Sequence, residues 1–380
     1  MDLDFTEEQE MLRDTVRGIC ERHAPLTTVR ELEDDPVGYG AELWKQLANA
    51  GVLGLTVPES YGGSGLSALE GAIVYEEFGR TLAPSPHFVS SVLSNGALVL
   101  AGSDEHKRRW LPRIASGEAI LTPAWLEPEH GYGPEGVQLR AEREGGELRL
   151  NGVKRHVHFA RAAQALLVLA RSGARPDEVD LLLVDPETPG IEIEQQMSLA
   201  ADTQHKVTFK DVLVPASARV GAPGSGWRTW DEVMHDGIIM VAAQAVGGAD
   251  RAMEITVRYA NEREQFDRPI GAFQAISHYL ADGATAVSGT RTLVHEAAWA
   301  RASGKSVRRL APMAKLFACQ TYRDVTAMCE QVHGGYGFTV DFDIQLFFRR
   351  AKQLQLSWWD TRYLEELVAA AVLDGEGARA

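Results

Sequence analysis

Two stretches of the chain carry side chains whose types and spacing suit chemistry. In the first, running from Tyr259 to Gln274, Arg263 offers a planar fork of donors matched to a pyrophosphate. Phe266 adds an aromatic face and Gln274 an amide. In the second, Gln331-Val332-His333-Gly334-Gly335, the glycines remove two Cβ atoms, so backbone N–H groups can approach an anionic or adenine-bearing ligand. Each feature also has a plainer reading, a surface salt bridge for Arg263 and a helix stop for Gly334-Gly335. His156 and His158 share one face of a strand and His333 sits in a turn. No Cys or carboxylate constellation accompanies them, so they read as sheet-face and turn histidines and no metal site is expected. Gly62, Gly63 and Gly65 read as a turn, because no strand leads into them and no Lys-Ser/Thr follows. Cys20, Cys319 and Cys329 are too scattered for a disulfide framework or zinc site and read as reduced, buried thiols.

The elements that must position these residues fall into three segments. Residues 1–116 read as an N-terminal helical domain. Thr6-Glu7-Glu8-Gln9 is a capping box opening a helix with Met11, Leu12, Val16 and Ile19 on its apolar face. Further helices are expected over Ala41–Ala50 and Ser67–Phe78. Residues 117–224 change to a period of two, with Leu148/Leu150, Val207/Phe209 and Val212/Val214 alternating and Ala165–Ala170 and Asp180–Val184 as apolar strands. Frequent Gly and Pro suggest an antiparallel sandwich or barrel. No strand–GxGxxG–helix unit occurs, which excludes a Rossmann segment. Residues 225–380 return to long helices, Ile238–Asn261, Ala272–Ser303 and Ala311–Val332, which read as a four-helix bundle. The tail from Asp374 is expected to fray.

Composition bounds the class of macromolecular partner. The 380 residues include 53 acidic and 38 basic side chains, a formal charge of -15. That field disfavours nucleic acid and anionic membranes. The acidic N-terminus lacks the basic and apolar regions of a signal peptide, and no apolar run approaches the roughly 18 residues of a membrane span. A soluble cytoplasmic protein is the expectation.

The two chemical stretches, continued by His278-Tyr279-Leu280-Ala281-Asp282 and by Phe348-Arg349-Arg350-Ala351-Lys352, resemble the acyl-CoA dehydrogenase family of flavoproteins. Trp44…Leu47…Gly51…Gly54-Leu55…Pro58-Glu59…Tyr61 fits that family's N-terminal helices, and Phe209…Asp211-Val212…Val214-Pro215 fits the exit from its β-domain. The resemblance covers essentially the whole chain and implies an α+β fold of N-terminal helices, a central antiparallel β-domain and a C-terminal bundle that mediates oligomerisation. It implies FAD as cofactor, an acyl-CoA substrate and an electron-transferring flavoprotein as oxidant. By resemblance Arg263, Phe266, Gln274 and Gln331, Val332, His333, Gly334 and Gly335 bind FAD, holding the neighbouring subunit's cofactor across the dimer interface.

The family's reaction uses a glutamate to remove the α proton while the β-hydride passes to flavin. Of its two known positions, one here is Trp358, in Gln353-Leu-Gln-Leu-Ser-Trp-Trp-Asp360. The other is Gly237, in Met234-His235-Asp236-Gly237-Ile238, with Ile238 where an arginine is usual. Neither side chain can take a proton from carbon. The flavin- and substrate-facing stretch reads Trp125-Leu126-Glu127-Pro128, and the strand beside flavin N5 reads His156-Val157-His158. With the lent residues kept and the base absent, the chain resembles the smaller, non-catalytic subunits of heterotetrameric bacterial acyl-CoA dehydrogenases that degrade bulky thioesters such as steroid side chains. Two alternatives stand beside that reading. One is a self-sufficient homotetramer using an atypical base such as Asp236, with Glu232 and Asp360 as further acids nearby. The other is a scaffold subunit that binds neither flavin nor substrate.

Overall fold

The computed structural model describes residues 4–374. Residues 1–3 and 375–380, including all but the first residue of the tail expected to fray, lie outside them. Six helices come first: α1 (Glu7–His23), α2 (Leu26–Glu31), α3 (Ala41–Asn49), α4 (Ala68–Thr81), α5 (Asn95–Ala101) and α6 (Asp104–Ala115). Eight strands follow: β1 (Leu121–Ala124), β2 (Arg140–Glu144), β3 (Glu147–His158), β4 (Ala165–Arg171), β5 (Val179–Val184), β6 (Ile191–Gln196), β7 (Gln204–Pro215) and β8 (Arg219–Val220). Helix α7 (Gly226–Glu262) then leads through a small hairpin, β9 (Glu264–Gln265) and β10 (Arg268–Pro269), to α8 (Gln274–Ala302). The chain closes with α9 (Leu310–His333), α10 (Ile344–Leu356) and α11 (Thr361–Leu373). No helix among the described residues is long and apolar enough to cross a membrane.

The chain packs as two compact units that divide the N-terminal helices between them. The first takes in the described residues up to Arg30, Ser67–Ala83 and the described residues from Ile238 onward. Its helices start on caps legible in the sequence. The Thr6 hydroxyl accepts from Gln9 N, and Gln9 Oε1 accepts from Thr6 N at 3.1 Å; Ser67 and Glu70 repeat the device at α4. Inside the unit, α4 and α7 touch backbone to backbone. A Cβ on Gly79 would stand 2.0 Å from Gln244 O, and one on Gly247 would stand 1.9 Å from Glu76 O. Charged groups fasten α4 to α1, α7 and α8. Arg17 grips Glu77 at 2.9 and 2.8 Å, and Arg80 reaches Asp250 at 2.6 Å and Glu254 at 2.7 Å. Arg291 and His295 hold Glu76 at 3.0 and 2.7 Å. Burial alone would raise the Glu76 carboxyl, but His295 and Arg291 outweigh it and hold the group below the usual carboxylate range. All three cysteines are free and buried. Desolvation pushes the Cys20 and Cys329 thiols up to about 12, so neither supplies a thiolate.

The second unit, Glu31–Leu66 and Pro84–Gly237, contains the sheet, in the order β6-β7-β3-β2-β4-β5-β8 with β1 beside β4. The sequence pattern suggested antiparallel pairing throughout, yet β1 runs parallel to β4, and β2 meets β4 in parallel through the single pair Arg140–Arg171. Alternation along β7 also breaks. Val207 and Phe209 face the core, and so do Val212 and Val214, because an extra residue at Lys210–Asp211, with Asp211 at φ 52°, resets the pleat. A turn of π-helix, Phe88–Ser94, runs into α5; such turns concentrate at functional sites.

His87, buried just before that turn, bonds the Val52 carbonyl at 3.1 Å, and burial lowers its pKa to about 4 from an ordinary 6.5. The folded state therefore favours the neutral ring. As pH falls below 6.5 the unfolded chain takes up the proton first, so stability drains away until pH 4 and then levels. A shift of this size is worth about 3 kcal/mol. We expect denaturation midpoints of the wild type to fall more steeply over this window than those of His87→Gln; parallel curves would refute the assignment.

Candidate functional site

In the first unit the α7–α8 connection and the α9–α10 connection come to one end of the helices. Tyr259, one turn before Arg263, stacks on the His333 ring at 4.4 Å, and Phe342 packs against both rings. The β9–β10 hairpin turns on Phe266 and Asp267, with φ 54° and 61°. Two left-handed residues make the tight turn that Asn-Gly usually supplies, and a phenylalanine there costs about 1–2 kcal/mol. That strain holds Phe266 out with 87% of its surface exposed, its ring edge-on to Phe273. Arg268 in turn stacks over Phe273 at 4.0 Å.

Two polar side chains at this end lack protein partners. Arg263 and Gln274 are exposed, and among the described residues neither side chain makes a hydrogen bond or ion pair. His333 is buried and donates through Nδ1 to Cys329 O (2.8 Å), which leaves Nε2 as the acceptor nitrogen of the neutral ring, buried and without a hydrogen-bond partner. Gly334, at φ 64°, and Gly335 have nothing within 4 Å of where a Cβ would stand. Gln331 is exposed and Val332 buried beside them. A guanidinium, an amide and an open glycine pair form a set of groups that fits a dinucleotide with its anionic phosphates.

The two positions where a base was sought are both filled. Gly237 lies in the second unit, where a Cβ would stand 2.7 Å from Leu93 Cδ2 and 3.4 Å from Phe88 Cζ. A side chain here would thus begin against Leu93, on the π-helical turn. In the first unit Trp358 and Trp359 are buried and take φ 55° and 72° in succession. Lys315, wholly buried in α9, holds this turn by donating to Leu354 O at 3.0 Å and Trp359 O at 2.8 Å. Burial lowers the lysine's pKa, with the nearby Cys319 and Asp360 opposing. The acids near these positions have other employment or surroundings. Asp360 caps α11, accepting from Tyr363 N at 3.0 Å, and Asp236 and Glu232 are half-buried on α7. His235 is buried with Nδ1 at 2.7 Å from Asp231 O, and Ile238 is buried in the first unit.

The β-domain residues expected at flavin or substrate form closed networks. Trp125 is buried against Trp230 at 5.3 Å and Tyr132 at 5.9 Å, and the Leu126 carbonyl accepts from Arg155 N. Glu127 accepts from Lys154 Nζ (2.6 Å) and from the backbone of Gln138 and Leu139. His156 and His158 do not simply share a strand face. His156 adopts φ 54° within a register shift that turns Val157 to the core. The rings are joined through their neighbours: His156 Nδ1 to Gln204 Oε1 (2.7 Å), Gln204 Nε2 to Asp202 (2.8 Å), and Asp202 to His158 Nε2 (3.2 Å). Burial would raise the Asp202 carboxyl, but His158, Ser198 and Gln204 hold it well below the usual range. No group of metal-ligating side chains exists among the described residues.

Sequence reasoning missed Phe88, Leu93, Lys315, Asp202 and Gln204. Lys315 carried a signal, since it falls on the buried stripe Ala311, Ala314, Ala318, Tyr322. The packing of Leu93 on Gly237 carried none.

Helices before and after the sheet in chain order, with a dinucleotide-fitting set of groups in the helical unit, fit the class of flavoprotein oxidoreductases. The chain belongs to the acyl-CoA dehydrogenase family: profiles of that family's N-terminal, middle and C-terminal domains match residues 6–118, 123–212 and 224–370. Members are FAD-dependent flavoproteins acting on CH–CH bonds. Acryloyl-CoA reductase (NADH) of Anaerotignum propionicum is 33% identical over 93% of this chain and 91% of its own. A chain of the ChsE4–ChsE5 complex from Mycobacterium tuberculosis superposes with TM-score 0.88 at 30% identity, covering 98% of each chain. The Tcur3481–Tcur3483 steroid acyl-CoA dehydrogenase gives TM-score 0.86 at 30% identity, covering 97% of this chain and 98% of that one.

Proposed function

We propose that this chain is the base-less subunit of a heteromeric acyl-CoA dehydrogenase, completing the FAD site of a glutamate-bearing partner. The observation that carries the reading is Gly237, which has no side chain and where even a Cβ would crowd Leu93 Cδ2 at 2.7 Å, while the other base position is a buried tryptophan. The exposed donors speak for the partner. Arg263, Phe266, Gln274, Gln331, Gly334 and Gly335 are exposed on the first unit, and the Arg263 and Gln274 side chains have no hydrogen-bond or ion-pair partner among the described residues. Exposed Tyr336, Phe338 and Val340 follow that turn and suit a subunit contact.

In this reading Arg263 would hold the pyrophosphate, Phe266 would pack against the dinucleotide, Gln274 would hydrogen-bond to it, and Gly334-Gly335 would admit it close to the backbone, with His333 supporting the turn from beneath. Bound FAD supplies the two-electron acceptor for α,β-dehydrogenation. The α proton goes to the partner's carboxylate, because Gly237 and Trp358 offer no base. An electron-transferring flavoprotein serves as oxidant, the assembly is a heterotetramer, and the site of action is the cytoplasm. The likeness to paired and steroid-directed relatives supports a bulky acyl-CoA, steroid side chains included, as the substrate class. The chain expressed alone should hold little flavin and oxidise no acyl-CoA. Turnover by the lone chain, abolished by Asp236→Asn with FAD still bound, would instead establish the self-sufficient enzyme.

A further inference from the structure

The second unit contains a cavity of about 780 Å³, none of whose lining residues belongs to the site described above. It opens where the sheet parts. Strands β2 and β4 pair only at Arg140–Arg171, and beyond that point β2 diverges from the β4–β5 hairpin. Five arginines line the opening, Arg140, Arg143, Arg171, Arg175 and Arg219, against three carboxylates, Glu142, Glu178 and Asp180.

Most of that acidity is already spent. Asp180 binds Arg219 Nε at 2.7 Å, and Glu178 pairs with Arg175 at 3.4 Å. Arg171 makes no ion pair among the described residues. Its Nε donates to Val137 O at 2.7 Å, its Nη1 to Arg175 O and Pro176 O at 2.7 and 3.2 Å, and its Nη2 to Pro134 O at 2.6 Å. Four neutral carbonyls thus lock the guanidinium without cancelling its charge, and one of its five N–H donors is left over. Arg140 and Arg143 are exposed, and neither has a hydrogen-bond or ion-pair partner among the described residues. Three uncompensated guanidinium groups therefore face one carboxylate, Glu142, in a chain whose formal charge is -15. A fixed cation flanked by two adjustable ones is an arrangement suited to a phosphate group. The volume falls within the range of about 300–1,000 Å³ typical of small-molecule sites.

We propose that this cavity binds a phosphorylated small molecule, of diphosphate class, through Arg140, Arg143 and the spare donor of Arg171. The inference stands apart from the FAD-site reading, since all its residues lie in the second unit.

The test is calorimetric titration of the full chain with inorganic pyrophosphate and with ADP at fixed ionic strength. Saturable binding of either is expected, and tighter binding of ADP would show that the ligand is a nucleotide. The double variant Arg140→Ala/Arg143→Ala should weaken binding at least tenfold. Arg149→Ala, on the neighbouring strand but outside the cavity and paired with Glu144 and Asp211, should leave it unchanged. The binding phase weakened in the double variant should persist in Arg263→Ala, which separates this site from any ADP or pyrophosphate taken up at the proposed FAD site. Absence of saturable binding, equal loss in Arg149→Ala, loss of that same phase in Arg263→Ala, or full retention in the double variant would each overturn the proposal. Because Arg140 and Arg143 are exposed, the double variant should melt as the wild type does.

Discussion

Replacing Arg263 with alanine will strip flavin from the assembled enzyme while leaving the assembly standing. The guanidinium is exposed and bonds nothing within the chain, so its removal should change stability by no more than about 0.5 kcal/mol. Binding is another matter. A forked pair of charge-assisted hydrogen bonds to phosphate, at about 1.5–3 kcal/mol each, loses roughly 3–5 kcal/mol when truncated. That corresponds to a loss of roughly 150- to 4,000-fold in FAD affinity. Flavin absorbance per assembly after gel filtration reads the effect. Arg263→Lys, which keeps the charge but not the fork, should fall between the two. An Arg263→Ala assembly that keeps its flavin would remove this chain from the cofactor site.

Restoring a glutamate at the helical base position should fail, and for a steric reason. The Cβ of Gly237→Glu would meet Leu93 Cδ2 at 2.7 Å, with Phe88 Cζ already in contact at 3.4 Å, so Leu93 must shift to admit a side chain. Overpacking a buried helix position costs about 1–3 kcal/mol, and a buried carboxylate without a partner adds to it. A total of roughly 3–5 kcal/mol should appear as a lower denaturation midpoint, with no acyl-CoA oxidation gained. Leu93→Ala in the same chain opens room for the new side chain and should recover part of the loss. A Gly237→Glu chain as stable as the wild type, and able to bleach flavin with acyl-CoA, would show that the position is merely vacant.

Local signals carried much of the architecture. Thr6/Gln9 opens α1 where the capping pattern places it, and the switch from a period of two to helical periodicity separates the sheet from α7 onward. Features that depend on an extra residue or on distant packing were illegible. Val207/Phe209 and Val212/Val214 have opposite parity in the sequence, and only the bulge at Asp211 shows that all four face one core. The same applies to His156 and His158, whose spacing suggests a common face until the left-handed His156 is seen. At the base positions the residue types stand in the text, Gly237 and Trp358. That Leu93 and Phe88 fill the first position, and that Lys315 locks the turn at the second, follows only from the folded contacts. Phe266 is the converse case. Its chemistry was plain from its type, but the strained turn that holds it outward was not.

The central claim is that this chain lends a cofactor site without owning a base. The most direct measurement is flavin content and acyl-CoA-dependent flavin bleaching of the purified chain, alone and after co-expression with a glutamate-bearing subunit of the same family. The account predicts a nearly colourless, inactive protein alone and a yellow, active one with the partner. Stoichiometric FAD and turnover in the lone chain would contradict it.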